Sequence, residues 1–351
     1  MRLSLALMVL LACLSPAWAQ TITPTEMLRS SVTNFIRPQV KAFAREARAL
    51  EPAMATLCAS PGADTLGAAQ AAFAATSVAY GRIEFLRIGP LAENNRAERL
   101  LFWPDRRGIG LRQVQQLLGD EDAGAITLAG LQGKSVAVQG LGALEFVLFG
   151  TGSEALLDTT DGFRCRYGQT IAQNLAQIAD EIVLAWADPA GVAEHLMRPD
   201  PAYPDYRSTT ESLEAVVGLV AHGIEAVRDT RLNPFIARNG DTANPRQAMF
   251  WRSHQTVAML EANLKAMQTL LALGGMATDP DLADEIDAAF SRAFAALAGV
   301  SAPVEVAVAD PVQAAALNDL VVATQDLQRL IGEELSATLG LSVGFSSLDG
   351  D

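Results

Sequence analysis

Apolar residues recur at helical spacing along nearly the whole chain, and stretches of strict alternation rich in β-branched residues are scarce. That pattern constrains the fold more than anything else in the sequence, because a chain with few period-two segments cannot assemble a sheet. It predicts an all-α protein. Half of the 351 residues are hydrophobic, while aromatic residues make up only 6%, a composition suited to many helices packed closely. Four long helices close one core by packing their apolar stripes together, and this chain offers about twice that number.

Three prolines in MRPDPAYPDY, Pro199, Pro201 and Pro204, forbid a continuous helix and mark a boundary. The expected domains are an N-terminal bundle over 20–198 and a C-terminal bundle over 205–351. Before the boundary, helices are expected at about 24–57, 66–88, 111–118, 128–149 and 169–197, with an irregular arm over 89–110. After it they are expected at 206–229, 245–273, 279–298 and 310–339. Asp279-Pro280 and Asp310-Pro311 read as helix starts, each with an acidic cap and a proline in the first turn.

The first 19 residues read as a secretory signal. Arg2 gives a positive start, Leu3 to Leu11 is almost wholly apolar, and Ala17-Trp18-Ala19 is a small-x-small cleavage site. The implied compartment is the periplasm. A rival reading takes Leu10-Leu11-Ala12-Cys13 as a lipobox with Cys13 lipidated. No other run is long and apolar enough to span a bilayer. Cleavage after Ala19 leaves two cysteines, Cys58 and Cys165, and in an oxidising space the pair predicts a disulfide, with two buried free thiols as the alternative. The net charge of −14 disfavours nucleic acid and anionic lipid as partners.

Several segments resemble the imelysin family (peptidase M75 type). They include NFIRPQVKAF, the run IEFLRIGPLAENNRAERLLFWPDRRGIGLRQVQQLL, QGLGALEFVLFG, RCRY, VRDTRLNPFIARNG, FWRSHQTVAMLEANLKAM and the terminal VGFSSLDGD. Cys58 sits where many members carry cysteine. The resemblance covers essentially the whole mature chain. It implies two helical bundles facing each other, with a signature helix near their interface, in an exported protein linked to iron acquisition.

The family signature is G-x-H-x-x-E, and here it reads Gly140-Leu141-Gly142-Ala143-Leu144-Glu145. Imidazole and carboxylate three residues apart share a helix face and can share a cation. Gly142 stands where the imidazole would be, so the expected peptidase centre lacks a ligand. Gly142 in the middle of the helix expected over 128–149 costs about 1 kcal/mol relative to alanine, tolerable if another helix approaches closely there and so fills the volume the family histidine occupies.

Other chemistry is sparse. No His-Glu-x-x-His, no Gly-x-Ser-x-Gly elbow and no phosphate-binding glycine loop occurs. The three histidines are His195, His222 and His254. His222 and Glu225 repeat the His-x-x-Glu spacing and form an alternative ligand pair. Glu84 and Asp105 are candidates to join Glu145 in a carboxylate cluster for calcium, iron or another hard cation, although Asp105 also suits capping of the turn after Pro104. Glu145, among apolar neighbours, needs a partner, and arginine from RIEFLRIGP, WPDRR or FWRS can supply it. Arg252 and Ser253 of FWRS are expected at the domain interface.

Three functions follow as expectations. The first is a non-catalytic binding or accessory component of envelope iron or metal uptake, acting with other uptake components. The second is a metal-dependent peptidase that recruits His222 and Glu225. The third is a protein-interaction module without metal.

Overall fold

A computed structural model describes residues 22–105, 107–237 and 242–342. The signal segment, Cys13 and the whole of the terminal VGFSSLDGD lie outside the described residues. Within them the chain is all-α, with no strand.

Several helices begin where a side chain caps the first turn. Thr23 and Glu26 form a capping box at the head of α1 (Pro24–Ser30), each side chain bonding the other residue's backbone N–H. A wider π turn over Ser31–Ile36 then leads into α2 (Arg37–Ala59). Pro38, at the second position of α2, has no N–H to give to an i−4 carbonyl, which accounts for the altered ladder just ahead of it. The buried stripe of α2 comprises Val40, Phe43, Ala44, Ala47, Leu50, Met54 and Leu57, each with a stripe neighbour three or four residues away.

Helix α3 (Ala63–Gly81) stops seven residues before the expected end. At Gly81 its backbone meets Met259 and Ala262, so closely that a Cβ would lie 2.6 Å from the Met259 sulfur. Asn263 also donates its Nδ2 hydrogen bond to the Gly81 carbonyl. The expected irregular arm follows, interrupted by the short α4 (Arg96–Leu100), and then come α5 (Ile109–Gly119), α6 (Leu128–Gln132), α7 (Leu141–Phe149), α8 (Phe163–Ala187) and α9 (Val192–Met197). Helices α2, α3, α7 and α8 pack on one another as the first bundle.

The second bundle is formed by α10 (Thr209–Ala226), α11 (Thr256–Gly274), α12 (Pro280–Ala298) and α14 (Pro311–Arg329), with the single-turn α13 (Val304–Ala307) between the last two and α15 (Ser336–Thr338) at the end. Asp279 accepts from the Asp281 N–H, and Asp310 from the N–H groups of Val312 and Gln313, as the Asp-Pro pairs imply. π turns extend α10 over Val227–Leu232 and α14 over Leu330–Leu335. The bundles meet where α11 lies on α3, and α1 lies on α10 and α11. Buried apolar side chains of both halves join in one continuous cluster.

Two expected helices are broken. Residues 169–197 divide at Asp188-Pro189-Ala190-Gly191, where Pro189 ends α8, and a new helix starts at Val192. Residues 128–149 divide into α6, a 3₁₀ turn at Val136–Val138 and α7. The reason for the second break lies at Gly140, whose backbone crosses the end of α4. A Cβ there would collide with the carbonyl oxygens of Arg99 and Leu100.

Cys58 of α2 and Cys165 of α8 form a disulfide, Cα to Cα 5.4 Å, across 107 residues of sequence. Chain entropy assigns such a loop about 4 to 5 kcal/mol at most. Replacing both cysteines by serine is expected to lower stability by about 2 to 4 kcal/mol, read from urea midpoints at constant slope. An unchanged midpoint rules the bridge out as a stabilising element.

Candidate functional site

The site builds from α7 outward. Gly140 is its cap residue and Gly142 its second residue, so Gly142 sits in the first turn and not inside a long helix. Nor is it crowded. A Cβ on Gly142 would meet only Leu101 Cδ1, at 3.9 Å. The expectation that a neighbouring helix fills the histidine's volume is therefore overturned, and a small cavity of about 90 Å³ lies there, lined by Gly140, Gly142, Asp105, Glu145 and Arg252 among others.

Glu145, one turn further on, is buried, with 4% of its surface exposed. Its Oε1 accepts hydrogen bonds from the Ser253 backbone N–H at 3.0 Å and from the Ser253 hydroxyl at 2.9 Å. Arg252 Nη1 lies 3.8 Å from Oε2. Burial pushes the Glu145 carboxyl above the ordinary carboxylate range, against the opposing pull of the Ser253 N–H and the Arg252 charge. Of the three arginine sources expected for Glu145, FWRS supplies the partner.

The segment that carries Arg252 and Ser253 was expected inside a helix over 245–273. It is instead a 3₁₀ turn at Pro245–Gln247 followed by a tight loop, and the helix begins only at Thr256. Phe250 and His254 both adopt left-handed backbone, φ +58° in each, a conformation that costs non-glycine residues energy and persists only when surroundings enforce it. Here the enforcement is visible. Phe250 is buried edge-on against Phe73 of α3, centroids 5.6 Å apart, and the Gln255 N–H closes the loop onto the Phe250 carbonyl at 3.0 Å. The Arg252 guanidinium carbon lies over the Trp251 ring at 4.5 Å and near the Phe146 ring at 5.5 Å. Arg246 stands over the same Trp251, 5.9 Å from its centroid. A second small cavity of about 130 Å³ adjoins Glu145 on this side, between Trp103, Arg246, Trp251 and Arg252.

Glu84 and Asp105 do not join Glu145 in a cluster. Both Asp105 oxygens cap α5, accepting from the N–H groups of Ile109 at 2.8 Å and Leu111 at 3.2 Å. Glu84 pairs with Arg231, a buried partner from the π turn after α10 that the expectations above do not include. Among the described residues no group of three or more His, Cys, Asp or Glu side chains could hold a metal ion. The donor set at α7 does not fit a cation either: residue 142 offers no side chain, Glu145 Oε1 is bonded to Ser253, and a guanidinium stands beside Oε2.

Glu84 and His222 line a larger cleft of about 690 Å³ between the bundles, with Trp103 and Pro104 as the wall shared with the Glu145 side. Glu225 is buried and does not line that cleft with His222, so the His-x-x-Glu spacing does not deliver two ligands to one cavity. His195 makes a surface contact with Asp205 at 3.0 Å and stacks on Tyr203, and His254 is exposed.

The sequence model of the family described as Imelysin (Peptidase M75) matches residues 36–331. No curated protein matches the chain. Among solved structures, an imelysin-like protein from Psychrobacter arcticum 273-4 superposes with a TM-score of 0.75 at 21% identity, covering 92% of this chain and 98% of its own. A protein described as an iron-regulated protein A precursor, from Parabacteroides distasonis ATCC 8503, gives a TM-score of 0.74 at 14% identity, covering 91% of this chain and 96% of its own. At those identities the likeness concerns the fold.

Two predictions follow from the geometry. Gly142→Ala is expected to stabilise the protein by about 0.5 to 1 kcal/mol, since the first turn gains a better helix former with open space beside it, whereas Gly140→Ala is expected to destabilise it through collision with α4. Chemical unfolding of the two variants reads the contrast, and a destabilised Gly142→Ala would restore the crowded picture. The second concerns pH. Glu145 has a folded pKa above its unfolded value, so its contribution favours folding in acid and is lost as pH rises from the ordinary carboxylate range through the raised folded value. Glu145→Gln, which keeps an acceptor for Ser253 and removes the titration, is therefore expected to change in Tm relative to the native chain in the variant's favour as pH rises above the ordinary carboxylate range. A Tm difference independent of pH would show that burial does not raise the Glu145 carboxyl.

Proposed function

This chain belongs to the imelysin family, and from that premise we propose that it is a non-catalytic binding or accessory component of envelope iron or metal uptake. We read the chain as exported to the periplasm by its first 19 residues, with domains at 20–198 and 205–351. The observation that carries the non-catalytic reading is positive. The signature carboxylate, Glu145, is engaged by Ser253 and Arg252 from the other bundle. A carboxylate bonded in this way is a bundle clamp, and neither a metal ligand nor a general base free to take a proton from water.

The iron connection draws support from the family and from the Parabacteroides neighbour's description as an iron-regulated protein. Among the described residues no helix is long and apolar enough to cross a membrane, so a role in uptake runs through other envelope components. The peptidase alternative needs His222 and Glu225 to meet on one metal, and only His222 faces the inter-bundle cleft.

Purified mature chain is expected to leave casein at the blank rate, with or without a chelator, and metal analysis with Glu145→Gln as control separates a metal-binding component from an interaction module, which would show no stoichiometric cation at all. Deletion of the gene is expected to lower cellular iron under iron limitation. Chelator-sensitive casein turnover that disappears in Glu225→Ala would establish the peptidase instead.

A further inference from the structure

Arg252 stands apart from the other arginines of the interior. Among the described residues every other arginine that is not exposed, namely Arg37, Arg96, Arg99, Arg164, Arg228 and Arg231, donates at least one side-chain hydrogen bond. The part-buried Arg252 guanidinium donates none. Its nearest carboxylate oxygen, Glu145 Oε2, lies 3.8 Å from Nη1, beyond hydrogen-bond length, and its other contacts are the rings of Trp251 and Phe146. Its nitrogens are nonetheless open: none is among the buried polar atoms that lack a partner, so each keeps surface that a solute can reach. A guanidinium is a rigid fork of N–H donors, and a charged donor left without an acceptor costs more than a neutral one.

A second arginine converges on the same place. The Arg246 guanidinium carbon lies 5.9 Å from the centroid of the Trp251 ring, the ring over which Arg252 lies at 4.5 Å. Among the described residues the Arg246 side chain has no ion-pair or hydrogen-bond partner. Arg246, Trp251 and Arg252 all line the cavity of about 130 Å³ beside Glu145, room for a handful of heavy atoms when a water takes roughly 30 Å³ of liquid volume. The two charges are close enough to act on each other: burial lowers the Arg252 pKa, and the Arg246 charge lowers it further against the pull of Glu145.

Like charges gathered on one wall repel unless a charge of opposite sign lies between them. The acids of the lining, Asp105 and Glu145, do not supply it. Both Asp105 oxygens are bonded to N–H groups at the start of α5. Glu145 gives Oε1 to Ser253, and it reaches Arg252 only at the distance given above and is not paired with Arg246.

We propose that this cavity binds a compact oxyanion, a carboxylate or phosphate group, held by the Arg246 and Arg252 guanidinium groups against the Trp251 ring. The arginine fork matches the paired oxygens of either group, and such charge-assisted bonds are about twice as strong as neutral ones. Arg252 is set for the task in advance. Its loop is fixed by the left-handed backbone of Phe250 and His254 and its head rests on two rings, so binding costs little further ordering. The overall charge of −14 does not oppose it, because at physiological salt exposed charges more than about 8 Å away are largely screened. This site goes beyond the uptake role proposed above, and either can fail without the other.

Trp103 and Trp251 both line the cavity, so tryptophan emission of the full mature chain reports its occupancy as sodium acetate or sodium phosphate replaces sodium chloride at constant ionic strength. Saturable binding with a Kd on the order of 1 mM is expected. Saturation by acetate alone identifies an organic carboxylate as the occupant's group, saturation by phosphate alone a phosphate, and saturation by both a site for either. Arg246→Gln, a change at an exposed side chain, is expected to weaken binding about tenfold, the loss of one charge-assisted contact. Arg252→Lys, which keeps the charge and removes the fork, is expected to weaken it as well, while Arg166→Gln, at an exposed arginine of α8 outside the cavity, leaves it unchanged. Failure of both anions to saturate at tens of millimolar, full affinity in Arg246→Gln, or an equal loss in Arg166→Gln overturns the proposal. If Arg252→Lys does not fold, the contrast between Arg246→Gln and Arg166→Gln decides.

Discussion

The contact between Glu145 and the Arg252-Ser253 loop is the constraint on which the arrangement of the two bundles turns. Burying a carboxylate costs several kcal/mol unless its lone pairs are met, and the first bundle has not met them from its own helices. Ser253 supplies two hydrogen bonds and Arg252 a charge, all from across the interface. The loop that presents them holds Phe250 and His254 in left-handed backbone, so part of what the interface contributes is used to maintain a strained local conformation. Glu145 and that loop each justify the other.

The same device recurs at Glu84 and Arg231. In both cases a buried carboxylate of the first half meets an arginine of the second, Arg231 buried and Arg252 partly so. Buried ion pairs add little net stability compared with apolar packing, but removing one partner leaves an uncompensated charge at a cost of about 3 to 5 kcal/mol. Two such pairs penalise any sliding or rotation of one bundle on the other far more steeply than apolar contact alone. The Trp103 bond to Thr230 and the Asn263 bond to Gly81 cross the same boundary with directional geometry. Apolar packing makes the bundles adhere, and these polar contacts decide their register.

How much of this was legible in sequence depends on whether the cause was local. The Asp279-Pro280 and Asp310-Pro311 starts are local chemistry and stand where the residues place them, and the pair Cys58 and Cys165, outside the expected signal, pointed to the bridge that α2 and α8 carry. The break of 128–149 was not readable, because Leu131, Val138 and Leu141 keep an apolar spacing across it and the cause, Gly140 crossing α4, is tertiary. The loop before α11 escaped for the same reason: AMFWRSHQ has enough apolar character to pass as a helix, and only the seat of Phe250 on Phe73 shows why it is none. Glu145 announced that it needed a partner, but the choice among three arginine segments belongs to the fold. Arg231 carried no signal beyond its place in VRDTRLNPF.

The absent imidazole is best understood through charge. A histidine and a glutamate on one helix face make a cation site only if the carboxylate remains free to share its lone pairs with an ion. In this chain residue 142 contributes nothing to coordination, and the positive charge nearest Glu145 is a guanidinium fixed between Trp251 and Phe146. That fixed cation occupies the electrostatic role an ion would otherwise fill, and it cannot exchange with solvent. Burial has raised the Glu145 pKa in spite of it, which means that the site lacks charge compensation to spare. Residue 142 supplies no side-chain donor to the open space beside it, and the Glu145 carboxylate ties the two bundles together through Ser253 and Arg252.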